Sequence, residues 1–200
     1  MFNLKNFMSE INTVDGWQTL EEMVGLLHFS LLIDNIDGEI VEIGSFKGKS
    51  TICIATGSKL LSSKKRPIYA VDPFKHSDDK QHFISMYEKD YFNDFWHNIE
   101  AFELEDFVLP IKKYSTDAQE EIPQNIAGIF IDGDHSYQGI STDINLYINR
   151  VVPGGIIAFH DYNNPHHPDV TKAVDELLLN QNFIVKGDFD LLRIIQKCAN

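Results

Sequence analysis

Two stretches of the chain each set an acid beside a turn. The run EIVEIGSFKGKST (39–51) reads as a strand, a glycine turn and the start of a helix. The run YAVDPF (69–74) reads as a second strand that ends on Asp72, 24 residues after Gly48. Gly44 lets the chain turn sharply off the first strand, and Gly48 opens a helix whose first backbone N–H groups have no helical partner. Ser50 and Thr51 add hydroxyl donors. A carboxylate at the end of the next strand can accept both hydroxyls of a ribose, so Asp72 with this turn suits a nucleoside-like ligand. Glu42, one residue before the strand's end, suits a positively charged ligand better than one bearing phosphates. Three other readings of the turn stand beside this one. A phosphate loop needs four residues before its Gly-Lys-Ser, and only three separate Gly44 from Gly48-Lys49-Ser50. A dinucleotide fingerprint needs glycine where Phe46 stands. A plain strand-to-helix turn would use the same glycines for steric reasons, with Asp72 capping the turn before Pro73.

A second group of reactive side chains lies further on. Asp132, Asp134 and His135 follow the apolar run 126–131, and His160 and Asp161 follow the apolar run 156–159. Ends of neighbouring strands converge on one rim of a parallel sheet, which would bring these five side chains to one pocket. Three oxygen or imidazole ligands on these two adjacent loops would hold a divalent cation, with water and substrate oxygens filling the remaining positions. Such a cation would lower the pKa of a substrate hydroxyl. A neighbouring carboxylate or imidazole would then take the proton. The blander alternative makes Asp134, His135 and Ser136 caps of the helix that follows, and His160-Asp161 a structural pair. His166 and His167 stand beside Pro165 and Pro168, at the surface or at a pocket rim.

These residues need a frame of alternating elements. The apolar spacing of Trp17, Leu20, Val24, Leu27 and Leu31 predicts a helix over 17–33, within an N-terminal helical segment 1–36. Strands are predicted at 39–43, 67–71, 107–111, 126–131 and 156–159, and helices at 48–61, 140–151 and 170–179, the last capped by Asp169. Residues 183–186 and 191–195 form two last strands around Gly187-Asp188. The polar and aromatic stretch 75–105 is a helical insertion or lid. Its part 83–96 is an acceptor wall, core or a homodimer face. The pattern is a single domain, 1–200. Its fold class is α/β, a doubly wound Rossmann-like sheet of seven mostly parallel strands closed by a C-terminal antiparallel hairpin strand.

Bulk composition narrows the partners. The 200 residues are 43% hydrophobic and carry 17 Lys+Arg against 30 Asp+Glu, a net charge of −13. That charge argues against nucleic acid or an anionic membrane as the partner. The basic run Lys64-Lys65-Arg66 reads as a solvated helix end. The two cysteines, Cys53 and Cys198, have neither zinc spacing nor a disulfide framework. No leader and no membrane span is expected, so the protein is read as intracellular and cytoplasmic.

With these residues together, the chain resembles a class I S-adenosylmethionine-dependent methyltransferase. VEIGSFKGKST resembles the first cofactor motif of that family, and YAVDPF its ribose-binding acid motif. The string IDGDHSYQGISTDINLYINRVVPGGIIAFHDY (131–162) is similar to a small-molecule O-methyltransferase subgroup. That subgroup includes enzymes acting on sugar hydroxyls of natural products and relatives of the catechol type, many of which use Mg2+. The resemblance covers about residues 39–195. It implies that Glu42, Gly44, Ser45 and Gly48 line the methionine side of S-adenosylmethionine, with Ser50 and Asp132 among the cofactor contacts. Asp72 would bind the ribose, Pro73 and Phe74 would lie near the adenine, and Asp117 would contact it. Asp132, His160 and Asp161 match the metal positions. A histidine at 160 departs from the magnesium-type pattern, which points to a softer cation or makes His160 the proton acceptor, with Asp134 the other candidate base. Phe46 replaces a glycine common in the wider family.

The function expected is methyl transfer from S-adenosylmethionine to a hydroxyl of a small molecule, with or without a divalent metal. Two rivals are a metal-dependent hydrolase or hydroxylase-like enzyme built on the same acids, and a catalytically idle cofactor-fold binding protein.

Overall fold

The computed structural model describes residues 2–75 and 90–199. Phe83, Met86 and Tyr87 of the aromatic stretch lie outside the described residues. Among the described residues, seven strands form one sheet in the order β3-β2-β1-β4-β5-β7-β6. They are β1 (Glu39–Ile43), β2 (Ile68–Val71), β3 (Val108–Ile111), β4 (Ile126–Ile131), β5 (Val151–Phe159), β6 (Phe183–Phe189) and β7 (Leu192–Lys197). The first five run parallel. β7 runs antiparallel to both β5 and β6. β4 is buried at all six positions, as a central strand covered on both faces must be. Its continuous apolar run, IAGIFI, is what that burial selects.

Side chains alternate between two cores. Ile40, Ala70, Phe130 and Ala158 face helices α1 (Leu4–Ile11), α2 (Leu20–Leu32), α3 (Lys49–Leu60) and α4 (Phe92–Ala101). Val41, Val71, Ile129, Ile131 and Phe159 face α5 (Tyr137–Tyr147) and α6 (Pro168–Leu178). The chain leaves β1 toward β2 and β3, then returns across β1 to begin β4. The crevice above β1 and β4 is therefore the topological switch point of the sheet. The register aligns Ile43 with Val71 and Ile131, and Ile131 with Phe159. Gly44, Asp72, Asp132 and His160 are the residues after these four, so they stand along one rim.

The structure moves several predicted boundaries. The N-terminal segment forms two helices, and α2 starts after Thr19 with a reciprocal cap: Glu22 N donates to Thr19 Oγ1 at 3.4 Å and Thr19 N donates to Glu22 Oε2 at 2.7 Å. Trp17 precedes that helix and is 67% exposed. α5 begins at Tyr137, because Ser136 accepts Gly139 N and caps it, and it ends before the predicted 151. Val151 already pairs with Ile126 as strand. Pro153 and Gly154 make a bulge inside β5 instead of a turn before it, since the ladder skips between Ile126 and Gly128 and Gly154 has φ +81°. Helix α6 starts at Pro168, whose missing N–H costs nothing there. Asp169 thus sits in the first turn and accepts Tyr137 N at 3.2 Å. The last hairpin turns at Asp190, with φ +54°, and Gly187 marks a register shift within β6. No helix among the described residues is long and apolar enough to cross a membrane.

Candidate active site

The turn after β1 is built around a buried acid. Glu42 has no exposed surface. Its Oε2 accepts Ser45 Oγ at 2.9 Å and the Thr51 hydroxyl. Burial pushes the Glu42 carboxyl up to about 7, against the lowering pull of hydrogen bonds from Ser50, Thr51 and Ser45. Glu42 Oε1 has no hydrogen-bond partner among the described residues. Ser45 and Ser50 thus support the Glu42 carboxyl beneath the turn. Gly44 adopts φ +88°, and a Cβ there would meet the Asp132 carbonyl oxygen at 2.0 Å. Gly48, at φ +91°, N-caps α3 beneath the Phe95 ring.

Asp72 follows β2 and is 6% exposed. Its Oδ2 accepts Phe46 N at 2.9 Å, and its Oδ1 accepts Phe74 N at 2.6 Å and Tyr91 Oη at 2.9 Å. Burial raises the Asp72 carboxyl above its ordinary value despite these donors. Phe74 is fully buried, with its ring 4.7 Å from Phe95, so it belongs to the aromatic core and not to a ligand wall.

A cavity of about 570 Å³ opens on this rim. Gly44, Asp72, Pro73, Asp132 and Asp134 line it, with Lys113 to Thr116 and Asp143 at its far end. Asp117 is exposed and outside that lining, whereas the neighbouring Ser115 and Thr116 belong to it. The Ser115 hydroxyl donates to Asp143, whose carboxyl is pushed up to about 6 by burial. A second groove of about 600 Å³ over α6, lined by Asn164, Lys172 and Glu176 among others, includes none of the rim acids.

The acids and histidines beyond β4 and β5 divide. Asp132, His135, His160 and Asp161 place one ligand atom each within 4.8 Å of the others. His160 Nδ1 lies 3.1 Å from Asp132 Oδ1 and 3.2 Å from Asp161 Oδ2. His135 Nε2 lies 2.8 Å from Asp161 Oδ2 and 3.4 Å from Asp132 Oδ1. Burial resists charge on His135, but Asp132 and Asp161 outweigh it and lift the imidazole to about 9. The same carboxylates raise His160 against its burial. Burial resists ionisation of Asp161, yet the two imidazoles hold its carboxyl well below the usual range. Asp134 stays outside the cluster. It is exposed, lines the cavity, and accepts Ser136 N at 2.9 Å.

Strand parity decides which helix meets the cluster. Asp132 and His160 share the face of Phe130 and Ala158, toward α2. Gln18 Nε2 donates to Asp132 Oδ2 at 3.1 Å, and fully buried Glu22 places Oε2 3.4 Å from His160 Nε2. The sequence marks Glu22 as a helix cap through its Thr19 spacing. Neither its approach to His160 nor that of Gln18 to Asp132 leaves a sequence signal. His135 was grouped with the rim by sequence but not among the metal ligands.

Residues 41–162 match a family described as "Methyltransferase domain". An uncharacterised protein of Acanthamoeba polyphaga mimivirus is 31% identical over 165 residues, covering 76% of this chain and 67% of that one. Among solved structures, the O-methyltransferase NovP superposes with a TM-score of 0.72 at 17% identity, covering 90% of this chain and 80% of NovP. An O-methyltransferase from Bacillus cereus in complex with SAH gives 0.62 at 16% identity, covering 98% and 88%. These two likenesses show the fold, with the same seven-stranded plan.

Proposed function

The chain belongs to the methyltransferase-domain family, and from that premise we propose that it moves a methyl group from S-adenosylmethionine to a hydroxyl of a small molecule. The observation that carries this reading is the convergence of the Gly44 turn, Asp72 and Asp132 on one cavity at the switch point of the sheet. Its volume of about 570 Å³ falls in the ordinary range for small-ligand sites. Buried Glu42 beneath the turn suits a sulfonium better than a phosphate. The net charge of −13 favours a small acceptor over nucleic acid.

S-Adenosylmethionine supplies a methyl group activated on sulfur, and a divalent cation on Asp132, His160 and Asp161 would supply Lewis acidity toward the acceptor hydroxyl. The cluster fits such an ion, because His135 Nε2 is shielded from solvent and makes no hydrogen bond although two carboxylates lie beside it. The chain's own share is positioning and proton removal. Asp72 Oδ2 accepts Phe46 N, and a carboxylate oxygen has further lone-pair capacity for ribose hydroxyls. Pro73, Ser115 and Thr116 line the same cavity and would flank the adenine of a bound cofactor. His160 is enclosed between Asp132, Asp161 and Glu22, which leaves it little access to a substrate proton. Asp134 lines the cavity beside Asp132 and takes the role of proton acceptor.

Calorimetry with S-adenosylhomocysteine, followed by methylation of a panel of small hydroxyl compounds read by mass spectrometry, tests the reading. Binding of the cofactor product, and a kcat that drops in Asp134→Asn at unchanged cofactor affinity, are expected. A protein that binds no S-adenosylhomocysteine would remove the basis of the proposal.

A further inference from the structure

We infer that Asp132, His135, His160 and Asp161 form a mixed imidazole–carboxylate site that selects a first-row transition-metal dication, of the Mn2+ to Zn2+ class, over Mg2+. This deepens the reading of the rim as the methyl-transfer site and rests on it. Magnesium takes oxygen ligands and keeps much of its water, whereas imidazole nitrogen favours the later dications. Half of this donor set is nitrogen. The four cross-contacts of the cluster span 2.8 to 3.4 Å. Ligands each roughly 2.0–2.1 Å from one ion stand about that far apart.

The surroundings of the four residues prepare them for an ion. Gln18 occupies Asp132 Oδ2, which leaves Oδ1 as the oxygen that faces both imidazoles. Glu22 faces His160 Nε2, so with an ion on Nδ1 the hydrogen of the ring would sit on Nε2, toward Glu22. A carboxylate behind a ligating histidine is the arrangement that orients imidazoles toward metals. Glu22 is fully buried, and its Oε1 has no hydrogen-bond partner among the described residues. Three carboxyl groups thus meet two imidazoles in a small buried volume, an excess that a dication would offset. On the outer side the His167 ring stacks over His135 with centroids 4.3 Å apart, fixing the plane of the ring whose Nε2 lies between the two aspartates.

The experiment uses the full chain, stripped of metal with a chelator. Titration calorimetry with MgCl2, MnCl2 and CoCl2, plus the visible spectrum of bound Co2+, reads the site without any turnover. S-Adenosylhomocysteine binding is measured on the same metal-free sample. One Co2+ per chain, bound at least about tenfold more tightly than Mg2+, is expected. His135→Asn should lower the ratio of Co2+ to Mg2+ affinity by about tenfold or more and change the Co2+ spectrum. His135→Gln is the second variant should His135→Asn fail to fold. Mg2+ binding as tight as Co2+, or a ratio and spectrum untouched by both variants, overturns the inference. So does the absence of stoichiometric metal in a protein that binds S-adenosylhomocysteine, and that outcome leaves the methyltransferase reading standing. Metal binding without cofactor binding would instead sink that reading and spare the site.

Discussion

The backbone of Gly44 passes so close to Asp132 that a Cβ at position 44 would lie 2.0 Å from the Asp132 carbonyl oxygen. The two residues follow Ile43 and Ile131, which are paired at the ends of β1 and β4. Asp132 N also donates to the Ile43 carbonyl at 2.8 Å. One backbone contact therefore fixes the distance between the turn proposed to hold the cofactor and the first acid of the His/Asp cluster. A donor on one strand end and an acceptor held by the other would be set in register by the sheet itself.

Gly44→Ala should disturb both halves of the site at once. The φ of +88° alone is a strained conformation for a side chain-bearing residue, worth about 1–3 kcal/mol. The clash is with backbone, which cannot swing away as a side chain tip can. A lowered denaturation midpoint together with weakened S-adenosylhomocysteine binding is expected. Wild-type values of both in the variant would show that the approach of the two strand ends is not required.

Asp72→Asn tests the ribose role with little change of shape. Losing a charged acceptor should cost about 1.5–3 kcal/mol of cofactor binding, or roughly ten- to a hundredfold in affinity. Tyr91→Phe is the control. It removes one donor from Asp72 Oδ1 and leaves Phe74 N in place. Its cofactor affinity, measured by the same calorimetry, should stay within a few fold of wild type. An equal loss in the two variants would move the ribose away from Asp72.

Glu42 gives stability a pH dependence of stated sign. Its carboxyl is raised from 4.5 to about 7 in the folded chain, chiefly by burial. Between those values the folded state holds a proton that the unfolded state has released. The stabilising effect is complete below the unfolded value and is lost as pH rises through about 7. At about 1.4 kcal/mol per unit this reaches roughly 3 kcal/mol. Glu42→Gln removes the titration and should flatten the loss of stability between pH 4.5 and 7, read by urea denaturation at a series of pH values. A slope identical to wild type would mean that Glu42 ionises freely in the folded chain.

The legibility of the chain follows from what each signal depends on. β4 was readable to the residue because a run buried on both faces favours apolar side chains over a strand's length, and β1 keeps its expected bounds although buried Glu42 interrupts its apolar run. Asp72, Asp132, His160 and Asp161 were readable as rim residues because they follow such runs. Phe74 was placed near the adenine by resemblance, yet its φ of +51° turns it into the core against Phe95. Pro153-Gly154-Gly155 looked like a turn, since a bulge within a strand and a turn before one use the same residues. The contacts from α2 could not be read at all. They depend on where a helix more than a hundred residues upstream lands, and no local pattern records that.

Thr19 and Glu22 separate capping from tuning of the cluster. Both take part in the cap of α2, and only Glu22 also faces His160. Thr19→Ala should cost about 1 kcal/mol of stability, the ordinary loss for a cap, and leave the His160 ring as it was. Glu22→Gln keeps size and an oxygen for the Thr19 N–H but removes the charge opposite Nε2. The His160 imidazole, held charged in part by Glu22, should then lose its proton at a lower pH than in wild type. Ring-nitrogen NMR shifts of His160 in metal-free protein, followed against pH, report that change directly. Identical shifts in the two variants would reduce Glu22 to a helix cap and leave His160 oriented by Asp132 and Asp161 alone.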